Sequence, residues 1–353
     1  MTILSRRAFA ALIALSAGFA PAAILAAGPA AAKDKITVVM SSFDLLFWPT
    51  LAAKELGYFD AENIDTDLVR TGGGAKSLAA VAGGDAHFNI GAPASAFRAR
   101  AKGSDVMMIA PVIAQYTDNI TMSDAWAKKN NLTRTSSYDD KLKALKGMTL
   151  GVSSVGGGAD QLVRFLAKQA KLDPDRDMTI SALGSGEAML AALSRGRIDG
   201  FVVPPPAGEE AVRKYGAHPM ITTGAGEVKA LDGFVYIGVI VRESWLQKNQ
   251  DLAIRFLRAQ QRGLEAVHDP ATTEKAREAV RAKYFAESDK AFFNEIWAAA
   301  KPSYPRTIEL KPEMVDRIVN FVNETTPEPL DKKSTESGWT NDYAAKALAT
   351  MKR

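Results

Sequence analysis

Cysteine is absent from all 353 residues, which excludes disulfides, thiolate metal sites, cysteine nucleophiles and a cysteine-borne lipid. Histidine is scarce. His87, His218 and His268 stand far apart, and no Ser-His-acid or His-acid-His spacing accompanies them. No catalytic residue, metal ligand or cofactor is therefore assigned, and the chain is not expected to be an enzyme. Charge of one sign is not concentrated anywhere: Lys and Arg exceed Asp and Glu by 44 − 40 = 4, and the cations are scattered without a basic block or aromatic interleaving. That distribution argues against nucleic acid as a partner. The glycine-rich run 151–160 lacks the Lys-Ser/Thr pair of a nucleotide loop, because Ala159 and Asp160 follow its last glycine. An anion could sit there, but not a nucleotide with magnesium. Past Lys33, no apolar run is long enough to cross a bilayer.

Such a run does exist at the start. Arg6 and Arg7 precede an Ala-rich apolar stretch over 8–27, and Ala30, Ala31 and Ala32 supply small residues for cleavage before Lys33. Residues 1–32 are read as a cleavable signal peptide, with an uncleaved anchor as the alternative. The string Ser5-Arg6-Arg7-Ala8-Phe9 also resembles the twin-arginine signal, so the export route stays open. Without a cysteine for lipid attachment, the mature chain would be retained only behind an outer membrane. The expected location is the periplasm.

From residue 36 onward, short β-rich runs alternate with helical patterns, and Gly, Pro, Ser or Asn mark the turns. Strands are predicted over 36–40, 65–70, 87–90 and 106–113, then a polar connection through Asn130, then 149–152, 178–182, 200–203 and 220–222. The two sets resemble each other. Leu78-Ala79-Ala80 leads through Gly83, Gly84 and Asp85 to a strand ending at Pro93, and Leu190-Ala191-Ala192 leads through Gly196 and Asp199 to one ending at Pro204. One further strand, 234–241, precedes amphipathic helices that are expected to return to the first half. The fold class is thus α/β, with two lobes, a two-stranded hinge and a cleft between them. The expected parts are 33–117 for the beginning of lobe I, 118–232 for lobe II, and 233–353 for the return to lobe I.

Ligands of open α/β sheets lie beyond the carboxyl ends of the strands, where helix N-termini present free backbone N–H groups. That rule selects Ser41, Ser42, Phe43, Phe47 and Trp48 after the first strand, Thr71, Gly72 and Gly73 after the second, and Ala92, Pro93 and Ser95 after the third. Gln115 and Tyr116 follow the fourth strand, while lobe II contributes Ser153, Ser154, Gly156, Gly157, Gly186, Pro204 and Pro205. Hydroxyls and glycine turns suit an anionic or strongly polar head group, and the aromatic faces suit a ring or apolar tail. Asp44 departs from that pattern: it would face solvent, cap a helix or meet an amino group on the ligand.

The run WPTLAAKELGYFDAENIDTDLV, then TGGG, LAAVAGGDAHFNIGAPAS, LKGMTLGVSSVGGGADQLVRFLAKQAKLDPDRDM and AALSRGRIDGFVVPPP, resembles the periplasmic binding proteins for nitrate, sulfonate, taurine and pyrimidine precursors, the SsuA/THI5-like group. The resemblance covers 36–216 and is carried by the order of the motifs. It implies a type II periplasmic-binding-protein fold and a small organic solute of sulfonate, aromatic or pyrimidine type, delivered by a monomer to an inner-membrane ABC permease. The alternative it leaves is an enzyme on the same fold, such as a pyrimidine-precursor synthase, whose associated cysteine-rich motif is missing here.

Overall fold

The computed structural model describes residues 32–326 and 329–351; of the expected signal peptide, residues 1–31 lie outside that set. In chain order the strands are β1 (Asp34–Met40), β2 (Ile64–Arg70), β3 (Phe88–Gly91), β4 (Val106–Ile113), β5 (Asn119–Met122), β6 (Thr149–Val152), β7 (Thr179–Ala182), β8 (Gly200–Val203), β9 (His218–Thr222) and β10 (Ile237–Arg242). The helices are α1 (Trp48–Glu55), α2 (Tyr58–Ala61), α3 (Gly74–Gly83), α4 (Pro93–Ala101), α5 (Asp124–Lys129), α6 (Tyr138–Lys143), α7 (Gly158–Gln169), α8 (Gly186–Ser194), α9 (Ala207–Tyr215), α10 (Glu243–Lys248), α11 (Gln250–His268), α12 (Thr273–Tyr284), α13 (Lys290–Ala300), α14 (Pro312–Thr325), α15 (Lys332–Ser337) and α16 (Asp342–Met351).

The strands form two five-stranded mixed sheets with the same plan. The first runs β2-β1-β3-β10-β4 and the second β7-β6-β8-β5-β9. In the first, β1 is parallel to β2 and β3, while β10 is antiparallel to β3 and β4. In the second, β6 is parallel to β7 and β8, while β5 is antiparallel to β8 and β9. Each sheet therefore takes one reversed strand from the chain just after it has crossed from the other. Two crossings join them, β4 to β5 and β9 to β10, which is the topology of the type II periplasmic-binding fold.

Several boundaries differ from the sequence-based expectation by one or two residues, and three differences have an identifiable cause. β5 falls inside what reads as a polar connection: only Ile120 and Met122 supply its apolar signal, and both are fully buried. β3 begins at Phe88 because the His87 side chain takes a ladder position, its Nδ1 accepting from Thr37 N at 2.9 Å. β10 begins at Ile237, not at 234, since Phe234, Val235 and Tyr236 form a buried extended segment of the second crossing.

The C-terminal helices cover the first sheet. Phe256 of α11 stacks on Phe88 of β3 with ring centroids 4.0 Å apart and on Phe59 at 5.2 Å. α11 also lies so close to α1 that a Cβ added at Gly263 would stand 2.2 Å from the Pro49 carbonyl oxygen. Only glycine fits between those two backbones. Around α1 itself, the residue before Pro49 is buried completely: Trp48 packs on Trp297 at 5.8 Å and Tyr304 at 6.2 Å.

Candidate functional site

A cavity of about 560 Å³ lies between the two sheets, lined by the loops after their parallel strands and by the crossings. Of the residues selected from sequence, Ser41, Ser42, Phe43, Phe47, Ala92, Ser95, Ser153, Gly157, Gly186 and Pro204 line it. This is where the strand-end rule places a ligand.

The other ten lie off the cavity, for identifiable reasons. Trp48 is core, as described. The Thr71 hydroxyl is engaged by Met40 O, Gly73 O and Ser77 Oγ, and Gly72 makes a turn at φ 75° whose N–H donates to Ser41 O. Pro93 packs toward β10, its Cγ 3.2 Å from where a Cβ on Gly238 would stand. Gln115 ties the two crossings together, donating to Thr223 O at 3.4 Å and accepting from Gly233 N at 3.5 Å. Tyr116 stacks on Tyr236 at 3.9 Å and donates to Gly158 O at 2.7 Å, which makes it a buttress behind the site. Pro205 sits between Pro204 and Pro206, and it is those two that face the gap.

Gly73, Ser154 and Gly156 have a different position: they are where the lobes touch. Ser154 Oγ accepts from Ala75 N at 3.3 Å, and a Cβ on Gly73 would meet Ser154 Cβ at 2.9 Å. Gly156 O accepts from Ser95 Oγ at 3.0 Å and from Arg98 Nη2 at 3.1 Å, while Gln161 also bonds Ser95. These contacts fasten the loop after β6 to the starts of α3 and α4.

Of the residues that set the cavity's electrostatics, sequence reasoning singles out Asp44 and passes over Asp118 and Asn89. Asp118, at the entry to β5, is 1 % exposed; the Tyr236 hydroxyl donates to its Oδ2, while its Oδ1 has no partner. Since Tyr236 belongs to the second crossing, that bond ties the two crossings together inside the site. Burial pushes the Asp118 carboxyl up to about 7, with Asp44 adding repulsion. Asp44 itself caps the short turn Leu45–Phe47 by accepting from Leu46 N at 2.9 Å, and Ser42 donates to it. Burial outweighs both bonds and pushes Asp44 up to about 6. Asn89, in the middle of β3, is 1 % exposed with its Oδ1 unpartnered. Gly91 leaves room for that amide, because a Cβ there would come within 2.7 Å of Asn89 Nδ2. The only sequence signal for Asn89 is an amide inside the otherwise apolar run Phe88–Gly91. Asp118 offers a weaker one, a carboxylate just before a strand too short to recognise.

Among the described residues, no histidine lines the cavity. His218 bonds Asp124 at 3.1 Å and His268 bonds Tyr304 O at 3.1 Å. Nor, among those residues, do three His, Asp or Glu side chains converge to hold a metal ion.

Two mixed α/β lobes with this crossing pattern define the periplasmic-binding-protein fold. The model of the NMT1/THI5-like family matches residues 46–273, and the chain belongs to that family. It is 21 % identical to YtlA of Bacillus subtilis (strain 168) over 236 residues, and the match covers 64 % of this chain and 64 % of that protein. Among solved structures, a protein of Bordetella bronchiseptica RB50 shares 20 % identity at a TM-score of 0.78, with 91 % of this chain and 99 % of that one covered. The alkanesulfonate-binding protein SsuA of Xanthomonas axonopodis pv. citri, solved bound to MOPS, gives 14 % identity and a TM-score of 0.67 over 86 % of this chain and 99 % of that one. The fold also serves catalysis: the desulfurization enzyme DSZB aligns at a TM-score of 0.61 and 13 % identity, over 90 % of this chain and 100 % of that one.

Proposed function

We propose that this protein is the solute-binding component of an ABC importer, exported to the periplasm, where it encloses one small organic molecule and delivers it to an inner-membrane permease. The observation that carries this reading is the cavity of about 560 Å³ lined by strand-end loops of both sheets, a volume suited to a compact organic solute. Family membership supports the partner, since relatives include named binding proteins. The ligand contacts proposed are Ser41, Ser42, Phe43, Phe47, Ser95, Ser153 and Gly157, joined by Asn89, Asp118 and Tyr236.

The test is a thermal-shift screen of the mature chain against sulfonates, aromatic carboxylates, pyrimidines, nitrate and amines. A ligand that binds only the folded form raises the melting temperature in proportion to the logarithm of its concentration over Kd. One chemical class should stabilise and remain chemically unchanged. Consumption of the stabilising compound by the protein alone would make it an enzyme.

A further inference from the structure

Two buried polar atoms on residues lining the cavity, Asp118 Oδ1 and Asn89 Oδ1, are acceptors without a partner, the reverse of what an anion needs. Helix N-termini point into the gap, but part of their donor set is missing or already engaged. Pro93 starts α4, and Pro204, Pro205 and Pro206 precede α9; proline has no N–H. At α3, Ala75 N donates to Ser154 Oγ, and at α8, Ala188 N donates to Ser185 Oγ. Before α7, Gly156 N donates to Asp160. Meanwhile two carboxylates, Asp44 and Asp118, stand inside, and among the described residues no Lys, Arg or His pairs with either. Arg70, Lys214 and Lys283 also line the cavity, but all three are exposed at its mouth, with Lys214 bonded to Glu210.

A buried carboxylate oxygen and a buried amide oxygen with no partner each cost free energy unless something supplies a donor. Asp118 Oδ1 and Asn89 Oδ1 are such atoms, both on residues lining this cavity. Aromatic faces stand in the same lining: Phe43, packed edge-on to Tyr284 at 5.2 Å, and Tyr236. A cation is attracted both by carboxylates and by ring faces. Resting on the binding reading above, we propose that the solute carries a positively charged nitrogen group, an ammonium or amidinium, which donates to Asp118 and Asn89 at the buried end of the cavity. The anionic head group expected from the loops is thereby replaced by its opposite.

The experiment compares probes of one shape and opposite charge, benzylamine against benzoate and benzenesulfonate, by thermal shift and calorimetric titration of the mature chain and of its Asp118→Asn variant. Asparagine can still accept from Tyr236, so the fold should persist, and the unliganded melting curve of the variant checks this. Benzylamine should stabilise the parent, benzoate and benzenesulfonate should not, and D118N should bind benzylamine about tenfold more weakly or worse. Stabilisation by the anions instead, or equal binding of benzylamine by D118N, overturns the charge assignment and leaves the importer reading standing. A solute that co-purifies with the parent, identified after denaturation, is an independent check: a basic nitrogen supports the proposal and its absence overturns it. If no probe binds and no solute co-purifies, the binding reading fails and the proposal falls with it.

Discussion

At the scale of single residues, Asp118 carries the most consequence, because it is a charge held where the fold offers it one hydroxyl and nothing else. Its carboxyl is raised to about 7 and that of Asp44 to about 6, so between about pH 4 and those values the folded chain holds protons that the unfolded chain has released. Stability from these groups is therefore present in full below about pH 4 and is lost as the pH rises to about 8. Half-buried His87 and His268, both held below the ordinary imidazole range chiefly by partial burial, act in the opposite direction. Comparing parent and Asp118→Asn cancels them. Chemical denaturation should find D118N more stable than the unliganded parent by about 2–4 kcal/mol at about pH 8, with the difference shrinking toward about pH 5. A gap that stays constant with pH would mean Asp118 is ionised in both states. Trp48 makes the contrasting case. Its ring lies among Trp297 and Tyr304 and off the cavity, so Trp48→Ala should cost about 3–5 kcal/mol of stability while the folded fraction keeps its affinity for solute.

At the scale of elements, α1 and α11 make the closest approach. Gly263→Ala would place a methyl group against the Pro49 carbonyl, and the forced separation should lower stability by about 1–3 kcal/mol in urea denaturation, with the m-value unchanged. Most of the strands are legible in the sequence because apolar β-branched residues stand between turn signals, as in β1, β4 and β8. β5 is not. There, Asn119 and Thr121 alternate with Ile120 and Met122 over only four residues, and what makes it a strand is pairing with β8 and β9, partners distant in sequence. The site shows the same division. Loops such as 41–47 and 153–157 can be placed because strand ends are legible, whereas Asp118 and Tyr236 depend on how the crossings lie beside each other. Sequence also overstates the donors, because it cannot show that Ser154, Ser185 and Asp160 each take one N–H at or just before a helix start.

At the scale of the whole molecule, the two lobes meet through hydrogen bonds at the cavity and through Phe165 of α7 packed on Phe321 of α14, ring centroids 5.1 Å apart. Ser95 and Arg98 hold Gly156 O, and Ser154 Oγ accepts from Ala75 N at the start of α3, so these contacts pair backbone groups with side chains of the opposite lobe. Gly73 has an extended φ of 172°, which any residue can adopt. Gly73→Val should therefore leave the unliganded melting temperature nearly unchanged and weaken solute binding about tenfold, since its side chain would collide with Ser154 only when the lobes meet. A large fall in melting temperature would instead place Gly73 in a contact needed by the open form as well. The most direct measurement is small-angle X-ray scattering of the mature chain, with and without a saturating amount of the stabilising solute. Enclosure by two moving lobes predicts a smaller radius of gyration in the complex. An identical scattering curve at full occupancy would contradict it.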